Sequence, residues 1–324
     1  LVGHRSIMGH LASEHAFAGE LSFIKRGKGE KSWHSAYNNP SYGFTAFFGS
    51  TGNRKLMGHY IGAYTFLSLP ILRYKAYTFS YKMGCGLGYG TKIYDPDDSD
   101  LILSMAVGSH FNAMVCMGVE SRFEFNNHSF TVGLDMTHFS NGAAQVPNLG
   151  LNLPYVSMGY GYRIQKSNPD SINVYGEFKP YWQFGVMGIA SAKEIYPTGG
   201  RKYPVLGLNL VGRRYFNRGA GMEMSFDFFS KQAIMGFQSE VPKTQAEIIQ
   251  LGVFAGYILP MDRLHLIVGM GLYVRDKFKP EDPMYHRVGL RYVWGNGLNM
   301  NLVLKSHWAR ADYVEYGIGY TFRR

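Results

Sequence analysis

The stretch Asp312-Tyr313-Val314-Glu315-Tyr316-Gly317-Ile318-Gly319-Tyr320-Thr321-Phe322 decides the fold. Its even positions, Val314, Tyr316, Ile318, Tyr320 and Phe322, are apolar or aromatic, and its odd positions are Tyr313, Glu315, Gly317, Gly319 and Thr321. Neighbouring side chains of a strand point to opposite faces, so this is a strand with one apolar and one polar, glycine-bearing face. The pattern recurs. Leu298, Met300, Leu302, Leu304 and Trp308 alternate with Asn299, Asn301, Lys305 and His307. Leu264, Leu266, Val268, Met270, Leu272 and Val274 alternate with Arg263, His265, Gly269, Gly271 and Arg275, and Met222, Met224, Phe226 and Phe228 with Glu223, Ser225 and Asp227. The wet face of a soluble sandwich rarely carries so many glycines. A transmembrane barrel accounts for both faces, because the apolar one meets lipid and the polar one lines a crowded interior.

Composition agrees. Glycine is 40 of 324 residues, aromatics reach 15% and charged residues only 17%, against about 25% charged in soluble domains. No run of about 18 apolar, uncharged residues is present, which excludes a helical membrane protein, and a 46% hydrophobic content argues against disorder. Trp308, Tyr320 and Phe322 suit interfacial aromatic girdles. The expected fold is all-β, an antiparallel transmembrane β-barrel of the bacterial outer membrane with about 14 strands, 12 and 16 being the alternatives. The expected strands lie near residues 41 to 50, 56 to 69, 76 to 92, 103 to 125, 128 to 140, 152 to 165, 173 to 191, 203 to 216, 219 to 230, 246 to 259, 262 to 275, 285 to 295, 298 to 308 and 312 to 322. Asn126-Asn127, Asn217-Arg218, Pro260-Met261 and Gly295-Asn296-Gly297 read as short periplasmic turns, and the long polar connections as external loops. Residues 1–40 read as a periplasmic or lumenal N-terminal extension, and 41–324 as the barrel.

One segment, residues 137–152, departs from barrel grammar. Phe130, Val132, Leu134 and Met136 form an outward apolar row, and the same parity runs on to His138 and Ser140. In the next strand Asn152 shares parity with Pro154, Val156 and Met158. Both strand ends abut the external loop 141–151, so the three polar side chains cluster on the outer wall at the level of the outer leaflet. Serine, histidine and amide can serve as nucleophile, base and orienter. His138 and Ser140 are about 7 Å apart at the backbone, twice the rise per residue of a strand, a span an imidazole can bridge.

These residues resemble the PagL-like lipid A 3-O-deacylases and the related acyloxyacyl hydrolases of outer membranes. The His-aromatic-Ser-Asn run and following Asn-x-Gly match at His138, Phe139, Ser140, Asn141, Asn148 and Gly150. A weaker likeness covers residues 86–92 and 108–113. The resemblance implies an outer-membrane serine esterase that removes an ester-linked acyl chain from lipid A of lipopolysaccharide, with Ser140 as nucleophile and His138 as general base. Asn141, backbone N–H groups around Gly142, and Asn148 would support the oxyanion. The family carries a glutamate where this chain has Asn152; an amide can orient an imidazole but supplies no charge to the imidazolium. The alternative is a catalytically weak or inactive barrel of this kind, serving as an accessory subunit of an outer-membrane complex. A passive pore would leave His138 and Ser140 unexplained.

Interior parity groups His110, Asn112, Cys116, Glu120, Arg122 and Glu124 in a lumenal network. Glu120, Arg122, Glu124, Arg263, His265, Arg287, Arg291 and Glu315 are expected to pair across the interior. Cys85 falls on the lipid face and Cys116 on the lumenal one, so the two are not expected to bond. The net charge of +10 suits a phosphorylated lipid. Arg54, Lys55, Lys92, Lys193, Arg201, Lys202, Lys231, Lys243, Lys277, Lys279 and Arg310 fall near external ends, where lipid A phosphates sit. No nucleotide or nucleic-acid motif occurs, and neither a metal nor a cofactor is expected. Lipid A is the expected partner, with room for protein partners in an outer-membrane assembly.

Overall fold

Fifteen antiparallel strands run through the computed structural model, which describes residues 6–11, 13–165, 175–237, 242–308 and 310–322. They are β1 (Ala18–Arg26), β2 (Ser41–Ser50), β3 (His59–Tyr74), β4 (Tyr77–Gly90), β5 (Phe111–Phe125), β6 (His128–Ser140), β7 (Leu151–Tyr162), β8 (Tyr181–Glu194), β9 (Lys202–Asn217), β10 (Ala220–Lys231), β11 (Ile249–Met261), β12 (Leu264–Arg275), β13 (Met284–Val293), β14 (Leu298–His307) and β15 (Arg310–Phe322). Among the described residues no helix is long and apolar enough to cross a membrane.

The strands form two sheets. β1 to β7 make a seven-stranded meander, and β8 to β15 close into an eight-stranded barrel. Closure comes from the pairing of β15 with β8, which sets Tyr316 opposite Ala190 and Phe322 opposite Phe184. The chain accordingly divides into two compact units, Leu1–Asn141 with Pro147–Val174, and Gly142–Val146 with Tyr175–Arg324. The β-barrel class follows the alternation. Residues 41–324 do not form one sheet, because alternation marks a strand and says nothing about which distant strand it closes on.

Within residues 1–40, Ala18–Arg26 pairs with β2 along its whole length, and the 3₁₀ turn Ser6–Leu11 buries Met8 and Leu11 in the first unit's apolar cluster. Two-residue turns follow the hairpin rule. Asn126 takes a left-handed φ of 53° while Phe125 pairs with His128, and asparagine tolerates that region. The β11–β12 turn lies at Asp262-Arg263, two residues beyond the expected Pro260-Met261, with Asp262 at φ 63°. The strand expected from residue 173 begins at Tyr181, and residues 173 and 174 lie outside those described.

The outward rows are lipid-facing in both units. Phe130, Leu134 and Val156 are exposed in the first, and Leu206, Met224, Phe226 and Ile318 in the second. The interiors differ. The first holds Tyr60, Tyr64, Met114, Phe139 and Leu151 in an apolar plug. The second holds ion pairs: Arg213 Nε with Glu223 Oε2 at 2.8 Å, Arg287 Nη1 with Asp227 Oδ2 at 2.7 Å, Arg287 Nε with Glu315 Oε2 at 3.0 Å, and Arg291 with Glu223. Buried charges need such partners, since desolvation costs several kcal/mol per ion (order of magnitude) when they go unmet. Arg263 does not join them, because the shifted turn leaves it exposed.

Candidate functional site

The external end of β6 places the site. Phe139 points inward and is fully buried, its ring 4.3 Å from that of Tyr60 and 5.9 Å from that of Phe47. This inward anchor fixes the strand's parity, so His138 and Ser140 take the outward face. Register then sets His138 directly opposite Asn152 on β7, and Ser140 opposite Ala113 on β5. Although their parity is that of the exposed lipid-facing row, Ser140 is 7% and Asn152 9% exposed, so the nucleophile and amide are sheltered.

His138 Nδ1 lies 2.7 Å from Asn152 Oδ1. An amide oxygen only accepts, so Nδ1 carries the proton and donates it. Nε2 then keeps its lone pair and can act as a base. Gly150, at φ 78°, lies against the ring: a Cβ there would sit 2.7 Å from His138 Cε1. The Gly150 N–H donates to Ala106 O at 2.8 Å, tying this glycine to the loop before β5.

The chain after the serine is held by side chains. The Asn141 N–H donates to Asn148 Oδ1 at 3.0 Å, and Asn141 Nδ2 donates to Ser109 Oγ at 2.9 Å. Ser109 Oγ in turn donates to Phe111 O at 3.0 Å, and Asn112 Nδ2 to Ser109 O at 2.8 Å. Asn148 is thus bonded to the backbone of Asn141, a holding contact for the turn that follows Ser140. Gly142 has φ 65° and starts the five-residue stretch Gly142–Val146, which clusters with the second unit.

The expected lumenal network splits in two. His110 lies in the loop before β5, donates from Nδ1 to Gly90 O over 2.7 Å and stacks on Tyr89, while Asn112 serves the Ser109 loop. Glu120 and Arg122 pair at 3.2 Å further along β5, where Ser68 Oγ also donates to Glu120 at 2.7 Å. Eight residues of strand separate the two groups, too far for one network. Glu124 pairs with Arg26 of β1 at 2.6 Å. Cys85 and Cys116 are both free thiols, the first exposed and the second buried.

Several of the basic residues near external ends are already engaged. Arg54 pairs with Glu14 at 3.2 Å and Lys55 with Asp100 at 3.0 Å. Lys193 and Lys231 turn into the second barrel rather than toward lipid phosphates: both pair with Glu281 and Asp312, the Lys231 distances being 2.9 and 2.8 Å. The ligand atoms of Glu281, His307 and Asp312 lie within 4.8 Å of one another, but the two ammonium groups already neutralise this acidic cluster. Its Glu281 carboxyl, in the loop between β12 and β13, is raised by burial and by Asp312, and Lys231 and Lys193 overcome both to leave it below the usual carboxylate range.

Comparison with known proteins places this geometry. Residues 18–163 match the family model for lipid A 3-O-deacylase (PagL), and residues 171–324 match the model for the acyloxyacyl hydrolase C-terminal domain. The chain belongs to the PagL family. The two matched segments fall on the two structural units in turn, so each sheet corresponds to one part of the PagL-type hydrolase. Members of the family are ester hydrolases of the outer membrane that act on lipid A, and this barrel is an outer-membrane protein. No curated protein sequence matches the chain. Among solved structures, an Rh. blastica porin mutant is 8% identical over 95% of this chain and 91% of its own, with a TM-score of 0.19. The FrpB iron transporter from Neisseria meningitidis is 9% identical over 95% of this chain and 64% of its own, with a TM-score of 0.21. Likenesses this slight bear neither on the PagL family fold nor on its activity.

Sequence reasoning placed Gly150 in the matched motif and Ser109 in the weaker likeness, but gave neither a role in the site. Gly150 is legible as part of Asn-x-Gly, but its role depends on a left-handed φ and on His138 lying beside it, neither of which spacing reveals.

Proposed function

We propose that the chain removes an ester-linked acyl chain from lipid A by a Ser140–His138–Asn152 relay. The observation that carries this reading is the 2.7 Å contact between His138 Nδ1 and Asn152 Oδ1, two residues along the strand from a sheltered serine on the same face. Ser140 Oγ attacks the ester carbonyl carbon while His138 Nε2 takes its proton. The tetrahedral oxyanion is met by the Asn141 side chain, which Ser109 holds in place. Collapse breaks the ester C–O bond, and His138 returns its proton to the departing lipid A oxygen. Water, deprotonated by His138, then attacks the acyl-Ser140 carbonyl; the acyl–Oγ bond breaks, His138 returns the proton to Ser140 Oγ, and the fatty acid leaves.

Asn152 fixes the tautomer in this scheme and leaves the transient imidazolium without a carboxylate. The expected rate is therefore low relative to an acidic relay; exchanging carboxylate for amide costs about 10⁴-fold in the serine protease triad. The test is release of fatty acid from purified lipid A by detergent-solubilised protein. Wild type should release it, and Ser140→Ala and His138→Ala should not. Intact lipid A with all three proteins would leave the accessory-subunit reading in its place.

A further inference from the structure

The lipid-facing wall of the second barrel holds an arginine where apolar side chains are the rule. On the outward parity, register sets Trp182, Arg214 and Met222 in one row across β8, β9 and β10, and Phe184, Gly212 and Met224 in the row beside it. Trp182, Phe184, Phe216, Met222 and Met224 are exposed. Gly212 has no side chain, the Phe184 ring lying 3.4 Å from where its Cβ would stand, and beside it a notch of about 230 Å³ opens between Trp182, Gly212, Arg214, Phe216, Met222 and Met224. The Arg214 guanidinium lies over the Trp182 ring, 5.5 Å from its centroid. Among the described residues no carboxylate pairs with it.

Orientation follows from the connections of this unit alone. β9–β10, through Arg218-Gly219, β11–β12, through Asp262-Arg263, and β13–β14 meet in short connections on one side, whereas on the other β8–β9, β10–β11 and β12–β13 are joined by longer connections and only β14–β15 by a short one. Short turns mark the periplasmic side of such barrels. Arg214 therefore stands at the level of the inner-leaflet headgroups, far along β9 from the external loops. A lipid-facing arginine is costly unless its charge reaches the interface and meets an anion there, and indole beside guanidinium holds it at that level.

We propose that Arg214, Trp182 and the Gly212 notch form a binding site for an anionic glycerophospholipid of the periplasmic leaflet. The phosphodiester meets the guanidinium through charge-assisted hydrogen bonds, and an acyl chain lies in the notch beside Gly212, against Phe216, Met222 and Met224. The site is separate from the Ser140 relay and does not rest on that assignment. Its chemistry is binding only, with no bond made or broken.

The test is native mass spectrometry of the full chain in detergent, titrated with phosphatidylglycerol, with diacylglycerol of the same acyl chains, and with inorganic phosphate. Wild type should retain phosphatidylglycerol at least tenfold (order of magnitude) more tightly than diacylglycerol, and inorganic phosphate should not displace it. Arg214→Gln should remove that preference, Arg214→Lys should keep part of it, and Gly212→Leu should weaken retention while leaving the charge in place. Equal retention of the two lipids by wild type overturns the proposal, whatever the variants do. So does an Arg214→Gln variant that folds and still prefers phosphatidylglycerol, or full displacement by inorganic phosphate.

Discussion

A Cβ on Gly150 would stand 2.7 Å from Cε1 of His138, so the absence of a side chain at one position seats the imidazole at the other. Gly150 also sits at φ 78°, where a Cβ is strained irrespective of space. Gly150→Ala should push the ring away from Asn152 and cut kcat by about tenfold or more, since small misplacement of a base is enough for such losses. The heat-modifiable band of the folded barrel on gels should persist. Unchanged kcat would show that the ring has no need of that space.

Asn152→Asp places a carboxylate oxygen where the amide oxygen now lies, 2.7 Å from His138 Nδ1. The transient imidazolium then gains a charge partner, and fatty-acid release should rise by roughly tenfold or more. Asn152→Leu, of similar size, removes the acceptor and should drop release below wild type. Measured rates in that order, Asp above Asn above Leu, check the assignment of Asn152 as orienter.

Asn148→Ala removes the acceptor for the Asn141 N–H. The turn after Ser140 loses one side-chain tie, the Asn141–Ser109 contact remaining. The expected result is a fall in kcat with KM little altered, because an oxyanion donor matters more to the transition state than to the bound ester. Steady-state kinetics on a soluble short-chain ester would read both constants.

Strand identity was legible in the sequence because a period of two is a local property, and it survives in Phe130 through Met136 as plainly as in Val314 through Phe322. The same parity placed His138, Ser140 and Asn152 on one face. Closure was not legible: the contact of β15 with β8 joins residues more than a hundred positions apart and leaves no local trace. Lys193 and Lys231 show a different failure. Each lies on the inward parity of its strand, with Ile189 and Phe229 respectively, so parity would have sent them to the interior, where they meet Glu281 and Asp312; reading them by nearness to the external end pointed them at phosphates instead.

Glu281 titrates below the usual carboxylate range, held there by Lys231 and Lys193 against burial and Asp312. A depressed folded pKa contributes stability that is present above the unfolded value, about 4.3, and is lost as pH falls through the folded one. Glu281→Gln should therefore lower the melting temperature of the purified barrel at pH 7, with the gap to wild type closing below about pH 4. A gap that persists undiminished at pH 3 would contradict the ionic origin.

Arg287 joins Asp227 at 2.7 Å and Glu315 at 3.0 Å inside the second barrel. Arg287→Met removes the ion-pair partner of two buried carboxylates, and the cost should be about 3–5 kcal/mol in urea-induced unfolding of lipid-reconstituted protein. Converting Asp227 and Glu315 to Asn and Gln in the same chain should recover part of the loss.

The central claim, that Ser140 is a nucleophile activated by His138, is tested most directly by reacting the folded protein with a long-chain alkyl fluorophosphonate and locating the adduct by peptide mass spectrometry. The account predicts one adduct, on Ser140, that forms with wild type and is lost in His138→Ala. An adduct on another serine, or labelling of Ser140 that proceeds equally without His138, would contradict it.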